Sequence, residues 1–471
     1  SKPYQFKARP WELKRTDSID IFDSVGSNIR VDSRAEEILR VTPRTNEYIN
    51  EEWISDKVRF NYDGYYQQRI DTPYIKENQK LSISNWEESL KVLKDKLKTL
   101  KPLALIGEHV DLETGYAIKK FMSNYGKDNV ECRTDNHAIL ESLDSYRFNT
   151  PLNDIENSDL IILLGTNPKI ETPIINHKIF KAYNNDAKVF NIGENISLNY
   201  KTEYLGESLS SLNNENLIKA LKKSTNPLII IGSAFLNKIK NIKTLKSIFS
   251  YADKYKVITK EKNNLNFLNP YASRVGQLII GNTTNNLCEP FSNLKKDNFE
   301  LVLSFGSEHI ANEQFNNCFK VYFGHHGDDG AMGSDIVLPT PLYTEKNGTF
   351  VNIEGRPQEA KKCHNPIGSA KEEWSILKKL SDELSFDFIP NTFDQLRSEL
   401  FDKHPILSDY HEIIAVENST SITPDIEFED CKAEYPVSNF YMSDVISKNS
   451  VTMAKCVEEI ISTPSLLEKS A

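Results

Sequence analysis

The residues most able to do chemistry lie between positions 324 and 358. This stretch holds His325 and His326 beside two aspartates, and it ends with Glu354 and Arg356 on either side of a glycine. Imidazole and carboxyl side chains can transfer protons or bind metal ions. Six glycines in the same stretch indicate backbone that takes positive φ or lies close to another group. Loops of this kind often carry binding and catalysis, so the sequence predicts a functional loop here.

Two interpretations stay open for each of these pairs. The histidines could bind a metal ion, or they could form a polar turn in which the imidazoles hydrogen-bond to backbone carbonyls. Adjacent side chains on extended backbone point in opposite directions, and no HxH or HxxxH spacing accompanies the pair. These features favour the polar turn. For Glu354 and Arg356 the structural interpretation is an internal salt bridge, and the functional one is two available charges beside a turn.

A second candidate is the turn Gly165-Thr166-Asn167-Pro168, which closes an apolar strand and starts a helix. Proline in the first helical turn suits an N-terminus that could receive an anion. Taken alone, these four residues favour an ordinary connection between a strand and a helix. The sequence has no GxSxG, Walker, GxGxxG or HExxH motif, so no familiar catalytic signature accompanies the two candidates.

Composition excludes several classes of protein. The chain of 471 residues carries a net charge of −10, which argues against a nucleic-acid binder because phosphate binding needs a concentrated basic surface. No run approaches the roughly 20 apolar residues that cross a bilayer. The six cysteines form no CxxC or CxxH pair. They are expected to be reduced, mostly buried thiols rather than disulfides or metal ligands.

The elements that must position the candidate residues change in type along the chain. In residues 1–75 apolar and polar side chains alternate around a Gly-Ser-Asn turn, which predicts a small antiparallel β lobe. Trp11 and Trp53 are expected to anchor this lobe. From residue 84 onward apolar residues recur at helical spacing, and short strands then alternate with helices through residue 390.

The segment 76–390 is predicted to form two doubly wound α/β lobes with parallel sheets, because its short apolar runs end in glycine and alternate with helices. The predicted strands are 103–107, 160–165, 188–193, 228–232, 256–259, 301–306 and 320–324. Ligands of such sheets bind outside the carboxyl ends of the strands. Capping boxes at 84–87 and 369–372 are expected to begin two helices. Residues 391–471 are predicted to be a tail, extended up to 435 and helical at about 444–461.

Several separate segments resemble one protein family. They are residues 8–12 (ARPWE), 49–57 (INEEWISDK), 59–64 (RFNYDG), 164–168 (LGTNP), 324–358, 439–444 (NFYMSD) and 452–456 (TMAKC). They make the chain similar to the carboxyl-terminal part of the large iron–sulfur (75 kDa) subunit of respiratory complex I, NADH:ubiquinone oxidoreductase, and to its mitochondrial members in particular. That part of the family is in turn similar to the molybdopterin oxidoreductases.

The resemblance implies a fold and a division into domains. Residues 1–75 would be a cluster-less remnant of a 4Fe–4S domain. Residues 76–390 would be α/β lobes of molybdopterin-oxidoreductase type, and residues 391–471 an extended and helical tail. Relatives hold a pterin cofactor near turns like 165–168 and regions like 345–358. The implied vestigial cleft comprises Gly165, Asn167, His325, His326, Glu354 and Arg356.

The resemblance also implies what the chain has lost. Residues 1–75 contain no cysteine, whereas metal-bearing relatives place a cysteine cluster there. No molybdenum ligand aligns in the segment after Cys132. The resemblance therefore implies no cofactor and no metal in this chain, with the 2Fe–2S and 4Fe–4S clusters in a missing amino-terminal half.

The implied function is a structural, non-redox part of the peripheral arm of complex I, on the matrix side of the mitochondrial inner membrane. The chain would hold the cluster-bearing half in place and so support electron transfer from NADH to ubiquinone coupled to proton translocation. Its partners would be that half, other peripheral-arm subunits and accessory subunits, with no nucleic acid and no direct membrane insertion. Two alternatives stay open. One is a molybdopterin-dependent oxidoreductase acting on a small molecule, with His325, His326 and Glu354 near the cofactor, and the other is a free-standing binding protein.

Overall fold

The structure, a computed structural model, describes residues 4–126, 129–284, 286–291, 294, 299–386, 390–414, 426–428, 431–435, 437 and 439–461. Its first unit is an antiparallel sheet of β1 (Lys14–Ile19), β2 (Asn28–Arg34) and β3 (Glu37–Pro43), in that order. Alternate residues such as Ile29 and Val31 are fully buried in a shared core. This arrangement confirms the predicted β lobe. The helix α1 (Asp56–Phe60) and the 3₁₀ turn Asn61–Tyr66 follow it.

The two tryptophans expected to anchor this lobe lie on its surface. Trp11 is 80% exposed and Trp53 is 50% exposed, so that prediction is wrong. Trp11 lies in a 3₁₀ turn that has no buried residue. The aliphatic side chains of the strands build the core instead, because every second strand residue points inward.

The first α/β unit begins with the hairpin β4 (Tyr74–Glu77) and β5 (Lys80–Ile83). It continues through α2 (Trp86–Thr99), β6 (Pro102–Ile106), α3 (Leu112–Met122) and β7 (Val130–Glu131). Helix α2 is capped by Asn85, whose side-chain oxygen accepts the Glu88 N–H at 2.9 Å. The cap therefore lies one residue after the predicted serine. Strand β6 is buried along its whole length, as expected for an interior parallel strand.

The second α/β unit is inserted between two halves of the first. Its elements are β8 (Leu160–Leu164), α4 (Pro168–Glu171), α5 (Pro173–Asn184), β9 (Lys188–Ile192), β10 (Glu203–Gly206), α6 (Glu215–Leu221), β11 (Pro227–Gly232), α7 (Ser233–Leu236), α8 (Ile242–Lys254) and β12 (Leu265–Leu268). The five strands are parallel, in the order β10-β9-β8-β11-β12. The strand predicted at 256–259 does not form, because Lys256 has a φ of 60° that interrupts extended backbone. The edge strand begins later, at Leu265.

The chain then returns to the first unit. It contributes α9 (Arg274–Ile279), β13 (Leu301–Phe305), β14 (Phe319–Gly324), α10 (Asp329–Met332) and β15 (Ile336–Pro339). The complete sheet has seven strands in the order β5-β4-β15-β14-β13-β6-β7. The hairpin β4–β5 is its antiparallel edge, and the other strands are parallel. The two sheets confirm the predicted pair of doubly wound lobes.

A second hairpin, β16 (Gly348–Val351) and β17 (Pro357–Ala360), leads to α11 (Glu373–Leu384). Helix α11 starts without the capping serine predicted for it. The hydroxyl of Ser369 donates to the carbonyl of Asp71 instead, at 3.1 Å. A partner almost three hundred residues away in the chain has therefore displaced the local cap.

The last helices are α12 (Phe393–Lys403), α13 (Val445–Lys448) and α14 (Val451–Cys456), and a π-helical turn, Val457–Ile461, follows. Where an extended tail was predicted, α12 buries Leu396 and Leu400 in the core of the first unit. Residues 415–425, 429–430, 436, 438 and 462–471 of the predicted tail lie outside the described residues. The domain limits at 75 and 390 stay predictions, and the first of them falls within β4. In the described part of the chain no helix has the length and hydropathy of a membrane span.

Candidate functional site

The turn from Gly165 to Pro168, the second candidate from the sequence, lies at the switch point of the five-stranded sheet. Strands β8 and β11 are neighbours there, and the later strands lead away on both sides. Ligands of such sheets bind at the carboxyl edge beside this point. Gly165 has a φ of 61°, which favours glycine, and a side chain there would overlap the ring of Phe235. The turn is therefore shaped by close packing.

The backbone N–H of Asn167, at the start of this helix, has a partner within the chain. Its N–H donates to Oε1 of Glu171 at 2.7 Å, and the Thr166 hydroxyl donates to the same oxygen at 3.4 Å. Helix α4 has only four residues. These bonds confirm the ordinary strand-to-helix connection that the local sequence favoured.

The contribution of Glu171 to folding stability depends on pH, and this dependence provides a test of the turn. Burial raises its pKa to about 8, against the lowering effect of the Asn167 N–H and the Thr166 hydroxyl. A group whose pKa is raised by folding contributes stability at low pH, and this contribution is lost as pH rises through the folded-state pKa. Glu171→Gln keeps an oxygen for the Asn167 N–H. It is expected to reduce the fall in stability between about pH 5 and pH 8, as measured by urea-unfolding midpoints. A pH slope equal to that of the wild type would contradict this assignment.

Two adjoining cavities lie at the switch point of the seven-stranded sheet, between β6 and β13. One, of about 290 Å³, opens beside Gly107 and Gly306, the residues that follow these strands. An adjoining cavity of about 400 Å³ is lined by residues of both α/β units. The side chains that line both cavities are Glu108, Tyr271, Glu308, His309, Ser443, Asp444 and Lys448. This polar space is the best-formed candidate site in the described residues.

Four charged side chains in and beside these cavities form ion pairs, whereas Glu108 is a buried acid with a raised pKa. Glu308 and Lys448 form an ion pair at 2.7 Å, and Arg274 and Asp135 form another at 2.8 Å. Burial, together with neighbouring carboxylates, raises the pKa of Glu108 to about 8. A carboxyl group tuned to this range can donate or accept a proton near neutral pH. In the described residues no group of three histidine, cysteine or acidic side chains is placed to hold a metal ion.

Sequence reasoning missed these cavity residues, although the sequence contains a signal for them. The dipeptide Glu-His follows a strand end twice, at 108–109 and at 308–309. The strands at 103–107 and 301–306 were predicted, but their parallel pairing was not. The structure pairs Phe305 with Ile106 and so brings the two dipeptides to one edge. An acid beside a histidine after two separate strands would have identified the site.

The histidine pair at 325–326 forms internal bonds. Its two Nδ1 atoms are 2.6 Å apart, and Nε2 of His326 lies 2.9 Å from the carbonyl oxygen of Gly64. Burial lowers the pKa of His326 to about 4. The polar turn with an imidazole bonded to a backbone carbonyl is confirmed for His326. The expectation that the two rings point apart is wrong, because they meet at right angles with centroids 4.9 Å apart.

Glu354 and Arg356 form the internal salt bridge that was one of the two interpretations. The guanidinium donates twice to Oε1 of Glu354, at 2.7 and 2.8 Å, and Oε2 accepts the Leu152 N–H at 3.0 Å. Arg356 also donates to the carbonyl of His411. Both charged side chains are buried. The pair joins the β16–β17 hairpin to the second α/β unit.

The six residues of the implied cleft are not gathered around one cavity. His325 borders a cavity of about 30 Å³ together with His109 and Gly306. Gly165 and Asn167 lie at the other sheet, and Glu354 and Arg356 belong to the hairpin region. Their grouping as a single cofactor cleft stays a prediction.

Three family models match this chain. Residues 69–383 match the molybdopterin oxidoreductase family. Residues 13–63 match the family described as NADH-ubiquinone oxidoreductase NDSU1/NuoG-like, 4Fe-4S domain. Residues 415–456 match the family of the carboxyl-terminal region of the NADH-ubiquinone oxidoreductase G subunit.

The relatives agree with these matches along nearly the whole chain. The G subunit of NADH-quinone oxidoreductase from Rickettsia bellii is 39% identical over 469 residues, which cover 97% of this chain and 68% of that protein. The chain belongs to the NuoG/75 kDa family of NADH-quinone oxidoreductase subunits. Another member, the 75 kDa subunit of NADH-ubiquinone oxidoreductase from Reclinomonas americana, is 37% identical over 97% of this chain and 70% of its own length. The mitochondrial 78 kDa subunit of Candida albicans is 35% identical, with coverages of 97% and 66%. These are subunits of complex I of the respiratory chain.

A solved structure shares the fold of this NuoG-family chain. It is a chain of the formyltransferase/hydrolase complex from Methylorubrum extorquens, with a TM-score of 0.51 and 12% identity. The similarity covers 67% of this chain and 99% of that one. At this identity it shows the α/β fold alone.

The family match corrects the expectation about cofactors. The 4Fe–4S domain of the family matches residues 13–63, so an iron–sulfur domain lies within this chain. The expectations that the chain is only the carboxyl-terminal part, and that it has no iron–sulfur cofactor, are therefore wrong. The donor set of the matched segment nevertheless does not fit a cluster. Residues 13–63 contain neither cysteine nor histidine, the side chains that usually hold such clusters.

Proposed function

We propose that this chain is a structural, non-catalytic part of complex I. The observation that carries the proposal is that the four ionisable side chains of the implied cleft bond to one another in two pairs. Glu354 is bonded to Arg356, and His325 contacts His326. Buried polar groups whose hydrogen bonds are met in this way are not available to a cofactor.

In this proposal the chain belongs to the peripheral arm, on the matrix side of the mitochondrial inner membrane. It supports electron transfer from NADH to ubiquinone, coupled to proton translocation, by holding the electron-carrying parts of the enzyme in place. Its partners are other complex I subunits, including accessory ones. The relatives support this placement, because they are named as oxidoreductase subunits and one is named as mitochondrial.

The alternative of a molybdopterin-dependent oxidoreductase depends on His325, His326 and Glu354. The cavity beside His325 is about 30 Å³, which is room for roughly one or two water molecules. A pterin does not fit there. The match of residues 69–383 to the molybdopterin oxidoreductase family favours this alternative, and the small cavity beside His325 argues against it.

Glu108→Gln in the assembled enzyme tests the proposal, because Glu108 is the cavity acid best tuned for proton transfer. The NADH:ubiquinone reductase rate per assembled complex is expected to stay within about twofold of wild type, whereas loss of a general acid or base costs about 10²–10⁴-fold. Glu215→Gln, at a surface ion pair, is the matched control. A fall of about a hundredfold with assembly intact would contradict the structural role.

A further inference from the structure

The C-terminal strap, defined here as the described residues between 426 and 456, crosses the carboxyl edges of both sheets. It begins on the five-stranded unit, where the ring of Phe428 packs edge-on against Tyr251 with centroids 5.8 Å apart. The Ala433 N–H then donates to the carbonyl of Glu207 at 3.3 Å, and the Glu434 N–H donates to that of Ala234 at 3.2 Å. Backbone bonds of this kind fix the strap along the sheet edge.

At the switch point of the five-stranded sheet the strap fills the space where a ligand would approach. A Cβ atom built on Gly193, which follows β9, would lie 3.3 Å from Cβ of Ala433 and 3.3 Å from Cα of Gly165. Separations of this size leave no gap between the strap and the two glycine turns. Glycine turns at such an edge usually let a ligand come close to the backbone. Here the chain itself occupies that place.

The strap then borders the cavities at the other switch point with charged side chains. Asp444 is buried and accepts the N–H groups of Ile446 and Ser447 at 3.1 and 2.9 Å. Its carboxylate also lies 3.9 Å from Nζ of Lys57. Lys448 reaches across to Glu308. The strap therefore supplies both an anion and a cation to the polar space between the units.

The same strap is fastened to the small β unit. The carboxylate of Asp63 accepts the N–H and the hydroxyl of Thr452 at 2.9 and 2.8 Å, and it also accepts the hydroxyl of Ser450. Gly64 lies directly beneath the strap, because a Cβ atom on it would overlap the carbonyl oxygen of Ile446. The side chain of Ile446 is itself fully buried. Three units of the fold thus meet on one segment.

We propose that the C-terminal strap is a built-in occupant of the ligand crevice of the five-stranded unit and the outer wall of the cavities in the seven-stranded unit. It closes the two switch points against external ligands and clamps the β unit onto them. Its backbone bonds, together with the buried pair of Asp444 and Lys57, take the place that a bound molecule has in open sheets of this type. This inference concerns the chain alone and stands whether or not the assembled enzyme uses it as a scaffold.

Gly64→Ala in the full chain tests the strap. The three atoms nearest to the added methyl group, all within 3.3 Å of it, belong to Ile446 and Ser450 of the strap. Gly327→Ala is the matched control, since its added carbon meets nothing nearer than the Gln68 carbonyl, at 3.7 Å. Two readouts are taken together. Hydrogen–deuterium exchange reports opening of residues 443–453, and labelling by N-ethylmaleimide reports access to Cys132, a buried thiol in the wall of the 290 Å³ cavity.

The expected result is faster exchange in the strap and about a tenfold or greater increase in the rate of Cys132 labelling, because overpacking raises the population of the open state. Labelling of Cys288, buried in the five-stranded unit, should not change, and Gly327→Ala should match the wild type. Faster strap exchange without faster Cys132 labelling would overturn the proposal. Exposure of Cys288 in Gly64→Ala would indicate general unfolding. In that case Asp63→Asn, which adds no bulk, replaces it, and the strap exchange and the Cys132 labelling are measured again. Unchanged strap exchange in both variants would overturn the proposal as well.

Discussion

Glu131→Gln is expected to destabilise the protein by about 3–5 kcal/mol, because it leaves a buried guanidinium without its counter-charge. The side chains of Glu131 and Arg133 are completely buried, and they are joined by two bonds of 3.0 and 3.1 Å. The second oxygen of Glu131 also accepts the N–H and the hydroxyl of Thr284 at 3.1 and 2.7 Å. A glutamine amide cannot accept all of these donors. Urea unfolding followed by circular dichroism measures the loss.

The control for this variant is Glu215→Gln, whose partner Lys219 is exposed on the surface of α6. Its expected loss is about 0.5 kcal/mol or less. The double variant Glu131→Gln with Arg133→Met should recover much of the loss, since it removes the uncompensated charge as well. If Glu131→Gln unfolds at the same urea concentration as Glu215→Gln, the buried pair does not have the role assigned to it.

Lys346→Met is expected to cost about 3–5 kcal/mol at neutral pH, because it leaves two buried carboxylates without a cation. Nζ of Lys346 lies 2.8 Å from Asp111 and 2.8 Å from Glu373, and all three side chains are buried. Burial lowers the pKa of Lys346, but the two carboxylates outweigh this effect and raise it above its usual value. Asp111 caps α3, and Glu373 begins α11. The lysine therefore ties two helix starts to the β16–β17 region.

The loss in Lys346→Met should also depend on pH. Burial raises the pKa of Glu373, and Lys346 opposes that rise, so removal of the lysine raises this pKa further above its unfolded-state value. Stability contributed by such a group is present at low pH and is lost as pH rises through the folded-state pKa. The deficit relative to wild type should therefore be smaller at pH 5 than at pH 8. Thermal unfolding at the two pH values measures it, with exposed Lys219→Met as the control. A deficit that is equal at both values would count against a buried, unpaired carboxylate.

Local sequence pattern was sufficient for six of the seven predicted α/β strands. The strand predicted at 160–165 is observed at Leu160–Leu164, and the one predicted at 188–193 at Lys188–Ile192. A short apolar run indicates a strand that is buried on both faces of the sheet, and the glycine after it indicates a tight turn. Both signals lie within a few residues of the strand. For Glu354 and Arg356, which only one residue separates, an internal salt bridge was one of two open interpretations, and the structure shows that bridge.

Predictions failed where a distant or left-handed residue decided the structure. The strand expected at 256–259 is interrupted by the positive φ of Lys256. The cap expected from Ser369 is lost to Asp71. Trp11 was expected inside on the basis of its size, but hydrophobicity alone does not say which large side chain the core has room for. Each of these outcomes depends on neighbours that the local pattern does not contain.

The amino-acid sequence by itself determined the family, the order of the α/β elements and the glycine turns at their strand ends. Only the tertiary structure decided what fills the space beside those turns. Lys57 donates to Ser443 across 386 residues of chain, and Asp63 meets Thr452 across 389. Such contacts form because folding brings complementary surfaces together, and no short-range period in the sequence encodes them. The strap over the two sheet edges is therefore a property of the packed molecule.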